Sequence, residues 1–387
     1  MLRKFLELCR RSQPDAIHWL PESGAAGDDH PIVQGVRRKA GALLSVMANA
    51  SDENPFDLPW SEFTRTALRL LDTPVPENPR LMARAFSGGA IGVAIGAAAN
   101  SLFLSGYDQQ PDSTRGWVGT VPARDFRAFD LFTLEKGARL GRIPRGGTAK
   151  HAAVALKAEG VKLARFGKEH RVDESDLLDS RDSVAAWLRP LEELGRAAKR
   201  VKGDLVYSLI LENPTLVADN LPLFHATHNN LGTAALANVA ALGAGVAAIA
   251  GQVLTDERGR VIHVNLQPRA LILAPELWAA AVEVEHSLWI GQGEQLEIHP
   301  ESRIGTAGLT DPNTEETRAG LATNWLLAAG SEGAPSIVVS YLNDQAVPRL
   351  RSRELTAGEW GVAYDVDHAL AAAAVDYRGL YWSDGTV

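Results

Sequence analysis

Two imidazoles stand three residues apart in His225-Ala-Thr-His228, directly after Leu223-Phe224. On a helix such a pair can reach one metal ion, and histidine is a common zinc ligand. Pro222 before the pair and Asn229-Asn230 after it instead predict a loop, and no nearby Glu supplies the base of a metalloprotease helix. The pair reads better as a turn whose histidines hydrogen-bond backbone groups than as the centre of a metal-dependent hydrolase. The other histidines, at 18, 30, 151, 170, 263, 286, 299 and 368, are dispersed. Ser208 and Ser340 lack the glycines of a nucleophile elbow. Gly88-Gly-Ala-Ile-Gly92 has neither the lysine of a P-loop nor the preceding strand of a dinucleotide fingerprint. The single cysteine, Cys9, excludes an intrachain disulfide framework and a thiolate cluster, and suits a reducing compartment. No catalytic, cofactor-binding or metal-binding set emerges. The sequence reads as that of a non-enzyme without a cofactor.

Charge carries more information than catalysis does. The net charge is −8, and such acidity argues against a dedicated nucleic-acid binder. Residues 135–174 nevertheless hold ten Lys or Arg against five acids, a net +5 that leaves −13 on the rest of the chain. Val154/Leu156 and Val161/Leu163 alternate on either side of Ala158-Glu-Gly160, which predicts a hairpin turning at 158–160. A basic, Gly-punctuated hairpin with few large apolar residues looks like an arm reaching off its own body. Arg142, Arg145, Lys150, Lys157 and Lys162 are its candidate contact residues.

The elements that must position these residues are mixed. The chain is 45% hydrophobic and 22% charged, ample for packed cores. Residues 1–72 predict short helices, the last with Phe63, Ala67, Leu70 and Leu71 on one face, and the prolines of 72–79 make a linker. The stretches 88–104 and 234–250 are apolar but mostly Ala and Gly, and Asn100 and Asn238 interrupt them. They predict closely packed buried helices rather than membrane spans, and no membrane partner is expected. Trp187, Leu191, Leu194, Ala198, Val201 and Leu205 follow at spacings of 4, 3, 4, 3 and 4. That period predicts a long helix from a cap at Asp182 or Ser183 to Asn213-Pro214, with Pro190 as a joint. Strands are predicted over 261–266, 270–274, 320–328, 336–342 and 361–365, and a helix after Pro275. Helices first and mixed elements later give an α+β class.

Four stretches carry a resemblance, in one order along the chain. Leu223-Phe-His-Ala-Thr-His-Asn-Asn-Leu231 resembles a signature of tailed-phage major capsid proteins, among them the Mu-like head subunit and the capsid part of prohead protease–capsid fusions. Leu163-Ala-Arg-Phe-Gly-Lys168 is similar to that family's strand leading into a spine helix. Arg196-Ala-Ala-Lys-Arg-Val-Lys-Gly-Asp-Leu-Val-Tyr207 is similar to the second half of that helix, and Ala374-Val-Asp-Tyr-Arg-Gly-Leu-Tyr381 to its C-terminal signature. Asn229 departs from a more usual Gly, and Asp367-His-Ala369 from Asp-Phe-Gly.

The resemblance implies a Hong Kong 97-like capsid fold. It places a helical extension or scaffold-like segment at 1–79, an N-arm at 80–134 and an extended loop at 135–174. The peripheral domain with the spine helix follows at 175–216 and 336–387, and the axial domain at 217–335. His225, His228, Asn230, Asp376, Tyr377, Arg378 and Gly379 become family-signature structural residues. The implied function is self-assembly through homo-pentamers and homo-hexamers into an icosahedral shell around double-stranded DNA. Implied partners are further copies of the chain, a portal, a scaffold or prohead protease and decoration proteins. The packaged DNA lies in non-specific proximity. Assembly would take place in the host bacterial cytoplasm and the product would reside in the virion. An encapsulin-like nanocompartment shell is the alternative on the same fold.

Overall fold

The computed structural model describes residues 59–70, 75–78, 81, 89–138, 142–143, 145, 148, 154–173, 184–236, 239–288, 296–332, 335–354 and 361–386. The helices expected within 1–58, Cys9, Lys150 and the cap at Asp182 or Ser183 lie outside them. Five α-helices stand among the described residues: α1 (Trp60–Leu70), α2 (Gly89–Gln109), α3 (Val184–Glu212), α4 (Val239–Ala250) and α5 (Trp278–Leu288). None is long and apolar enough to cross a membrane. The chain forms two compact units.

The first unit takes Met1–Pro111, Phe166–Lys199 and Val347–His368. Phe63 and Ala67 of α1, Ile95 and Phe103 of α2, and Leu188 and Leu191 of α3 meet in its core. The small residues of α2 have a positional reason. A Cβ on Gly106 would run into the Glu192 carbonyl, and one on Gly195 would run into the Phe103 carbonyl. Glycine at both places lets α2 and α3 approach backbone to backbone. Beside them, Arg349–Glu354 pairs antiparallel with the first part of Gly361–Ala374, from Arg349↔Asp367 to Glu354↔Val362. Leu350 points to the core while Arg349, Arg351 and Arg353 alternate outward. Arg353 pairs with Asp365 at 3.0 Å and with Glu169. The Arg171 and Arg353 guanidiniums hold the Glu169 carboxyl down at about 2.

The second unit takes Asp112–Arg165, Arg200–Ala346 and Ala369–Val387. Its largest sheet has the order Leu231–Gly232, Leu380–Ser383, Trp325–Ala329, Pro268–Leu273, Glu297–Pro300. Trp325–Ala329 is buried throughout and reads as a continuous apolar run, as a strand covered on both faces should. Leu242 and Ile249 of α4 pack there with Leu271, Leu273 and Leu327. Gly119–Ala123 runs parallel to Ile337–Leu342, which pairs antiparallel with the last residues of Gly361–Ala374. The second half of α3 also belongs to this unit, and Asn213 ends it in the left-handed conformation (φ 52°) that asparagine tolerates. Pro190 lies inside the helix, and the period read from the sequence, Trp187 to Leu205, falls within it.

The hairpin differs from expectation. Ala158-Glu-Gly160 is not a turn; it lies within the strand Ala155–Val161, whose partner is the upstream strand Phe129–Lys136. Register runs from Phe129↔Val161 to Lys136↔Ala155. The reason is the two-residue alternation. Val161, Glu159 and Lys157 share one face with Leu131, while Leu156, Ala158 and Gly160 share the other with Phe132 and Leu134. A turn at 158–160 would strip Glu159 from its buried position opposite Leu131.

Candidate functional site

The histidine segment folds as a single 3-10 turn, Ala226–His228. His225 caps it, its Nδ1 accepting from the Thr227 N–H at 3.2 Å, and Asn229 leaves it with φ 54°. Asn213, just past α3, receives the segment: its Oδ1 accepts from the Phe224 N–H at 2.7 Å and its Nδ2 donates to the Phe224 carbonyl at 3.1 Å. Asn230, 1% exposed, works the other side. Its Oδ1 accepts from the His225 N–H at 3.0 Å, and its Nδ2 donates to the carbonyls of Leu223 (2.8 Å) and Tyr377 (3.4 Å).

His228 is buried. Its Nε2 stands 2.8 Å from Asp219 Oδ2 and its Nδ1 3.2 Å from the Leu223 carbonyl. Its ring stacks on Tyr377, with centroids 3.8 Å apart and planes 5° apart. Both nitrogens of His228 and Nδ1 of His225 are thus spent on local partners. Among the described residues no group of three His, Cys, Asp or Glu side chains is placed to hold a metal.

The C-terminal signature meets this turn through Tyr377. Asp376 accepts from the Arg378 N–H at 3.0 Å and pairs with its guanidinium at 2.8 Å. Arg378 lies 5.2 Å from the Tyr377 ring centre and donates to the Leu134 carbonyl at 3.2 Å. Burial pushes the Tyr377 hydroxyl above the ordinary tyrosine range, so it stays neutral. The Gly379 N–H donates to Ser336 Oγ at 2.9 Å, and a Cβ there would press on that same oxygen.

The structure therefore brings six of the seven signature residues into one cluster, with Gly379 next to it, and attaches that cluster to the hairpin. Arg378 holds the strand Phe129–Lys136 through Leu134. Ala218, adjacent to Asp219, holds the strand Ala155–Val161: its N–H donates to buried Glu159 at 2.9 Å and its carbonyl accepts from Lys157. Lys157, expected as an arm contact, is thus engaged within its own chain, and also faces Glu135 at 3.9 Å. Arg142, Arg145 and Lys162 are exposed. Asp219 and Glu159 were not singled out by sequence reasoning. An acid inside an alternating strand, as at Glu159, was the available signal; Asp219 offered none.

The paired strands of the hairpin have one covered and one open face. Leu131 and Val161 are buried, whereas Phe132 is 66% exposed and Leu156 58% exposed, with Leu134 and Val154 beside them.

A family model described as a phage capsid protein matches residues 157–383, more than half of the chain. No curated protein matches the sequence. Similar solved structures include a phage-related protein from Bordetella bronchiseptica, 13% identical, covering 74% of this chain and 97% of that one, with a TM-score of 0.48. The mature capsid of bacteriophage PhiM1 is 14% identical over 71% of this chain and 87% of that one, with a TM-score of 0.47. A virus-like particle from Pyrococcus furiosus is 14% identical over 73% and 96%, with a TM-score of 0.45. The family match takes in the hairpin strand from Lys157, the histidine turn and the 376–379 segment, and on that ground the chain belongs to the phage capsid protein family.

Proposed function

We propose that the chain is the major capsid subunit of a Hong Kong 97-like shell, joining copies of itself into pentamers and hexamers around packaged double-stranded DNA. Its role is structural rather than catalytic. Portal, scaffold or protease, and decoration proteins are its further partners, and the host cytoplasm is where it assembles. The observation that carries this reading is the hairpin. Its paired strands are held to the chain by Arg378 and Ala218, yet it turns Phe132, Leu134, Val154 and Leu156 to solvent on one face. A row of large apolar side chains on a paired strand face is costly to leave wet, and burial against a second copy removes the cost. The extended loop of 135–174 takes in, on this reading, the distal part of that hairpin together with its returning strand Ala155–Val161. The spine is α3, running from the peripheral domain (175–216 and 336–387) toward the axial domain (217–335). Exposed Arg142, Arg145 and Lys162 supply register to the contact, alongside Lys150.

Negative-stain micrographs of the expressed chain test this directly. Wild type forms closed shells, and a Phe132→Ser/Leu156→Ser variant stays as dispersed, folded subunits. Shells of normal yield from that variant would refute the role given to this face.

A further inference from the structure

We propose that the open face of the hairpin is covered, in the shell, by the outer face of α5 of a second copy. This rests on the capsid reading and names the surface that meets the hairpin. α5 packs on its own unit by one side only, where Ala281 and Val284 are buried with Leu271, Leu273 and Trp325. On the other side, one turn apart, Trp278 is 46% exposed and Val282 41% exposed. An indole brings more apolar area to a contact than most side chains do, and tryptophan is among the residues that most often anchor one protein on another.

Charge decides which surface fits this helix. α5 carries Glu283 and Glu285 and no Lys or Arg, and Glu276 stands exposed in the turn before it. Thr306 Oγ1 donates to the Glu276 carboxyl at 2.7 Å and holds it below the ordinary glutamate range, so it stays ionised. The hairpin has the opposite sign. Phe132, Leu134 and Leu156 are accompanied by exposed Arg142, Arg145 and Lys162 in a stretch of net +5. An apolar face with acids beside it and an apolar face with cations beside it complement each other. Other exposed apolar side chains lack this match. Phe126 stands between exposed Arg124 and Arg127, and Val253 and Val261 flank a turn in which two arginines offset two acids. The hairpin face and the α5 face are both open in the same chain, so neither covers the other and the occupant is another copy. Each copy then gives one surface and receives a different one, a head-to-tail contact that closes into a ring when repeated.

Photo-cross-linking of the full chain reads the contact, with a benzophenone side chain in place of Phe132. Irradiated shells are expected to give cross-linked dimers on denaturing gels, and mass spectrometry is expected to map the link to residues 276–288. The same probe in place of Leu156 serves if the first blocks assembly. A Trp278→Ser/Val282→Ser variant, altered only at exposed positions, is expected to keep the subunit's melting temperature and to lose its shells. Cross-links that map to another part of the second copy overturn the pairing, as do cross-links confined to the monomer. Shells of normal yield from Trp278→Ser/Val282→Ser overturn it as well. If Phe132→Ser/Leu156→Ser still loses its shells in that case, the capsid reading stands without this pairing. A wild-type chain that builds no shells overturns both.

Discussion

Asn230 closes the histidine turn because one amide offers an acceptor at one end and two donors at the other. Three backbone groups, the His225 N–H and the carbonyls of Leu223 and Tyr377, rely on it in a place water does not reach. Asn230→Ala should therefore cost about 3 kcal/mol in urea denaturation, since it leaves buried polar groups unpaired. Asn230→Asp, which retains the acceptor toward His225 and loses the donors, should still destabilise measurably. The sequence reading of His225 and His228 as hydrogen-bonding turn residues was possible because Pro222 and Asn229-Asn230 bracket them with loop formers. The partner acid was not legible. Asp219 lies nine residues before His228 in an irregular segment, and only the closed chain shows that the two meet.

At the scale of elements, α3 was the most legible part of the molecule. An apolar residue every three or four positions needs no tertiary context to be read as a helix face. The hairpin was misread for the opposite reason. Glu159-Gly160 looks like turn chemistry, and only pairing with a strand some thirty residues upstream shows it to be mid-strand. Which small residues of α2 matter was also hidden. Of the many Gly and Ala in that helix, Gly106 sits at the crossing with α3, where Gly195 answers it. A methyl at either place meets main chain, which cannot rotate aside as a side chain can. Gly195→Ala should destabilise the first unit by about 2–3 kcal/mol, more than the gain in helix propensity returns. Thermal melting followed by circular dichroism would check it, and Gly243→Ala on α4, where a Cβ meets open space, is the control.

For the whole molecule, the +5 of 135–174 stands against −13 elsewhere, a division of charge that copies of the chain could use. Within one chain Lys157 is already satisfied, so the charge left to act between copies rests on exposed residues such as Arg142 and Arg145. Arg142→Glu/Arg145→Glu should abolish closed particles in sedimentation without changing the subunit's melting temperature. Initial assembly rates of the wild type should fall as salt rises, because screening at physiological ionic strength already acts over about 8 Å. The path of the chain through its two units carries a different consequence. Gly361–Ala374 pairs with Arg349–Glu354 in one unit and with Ile337–Leu342 in the other, and Leu380–Ser383 lies inside the largest sheet of the second. Synthesis runs from the N-terminus, so each unit waits for the same late stretch of chain to complete one of its sheets. A chain ending before residue 361 lacks the strand that both of these pairings need and the strand that joins Trp325–Ala329. Truncation at residue 360 should therefore abolish the cooperative melting of both units, which calorimetry of the shortened chain would check.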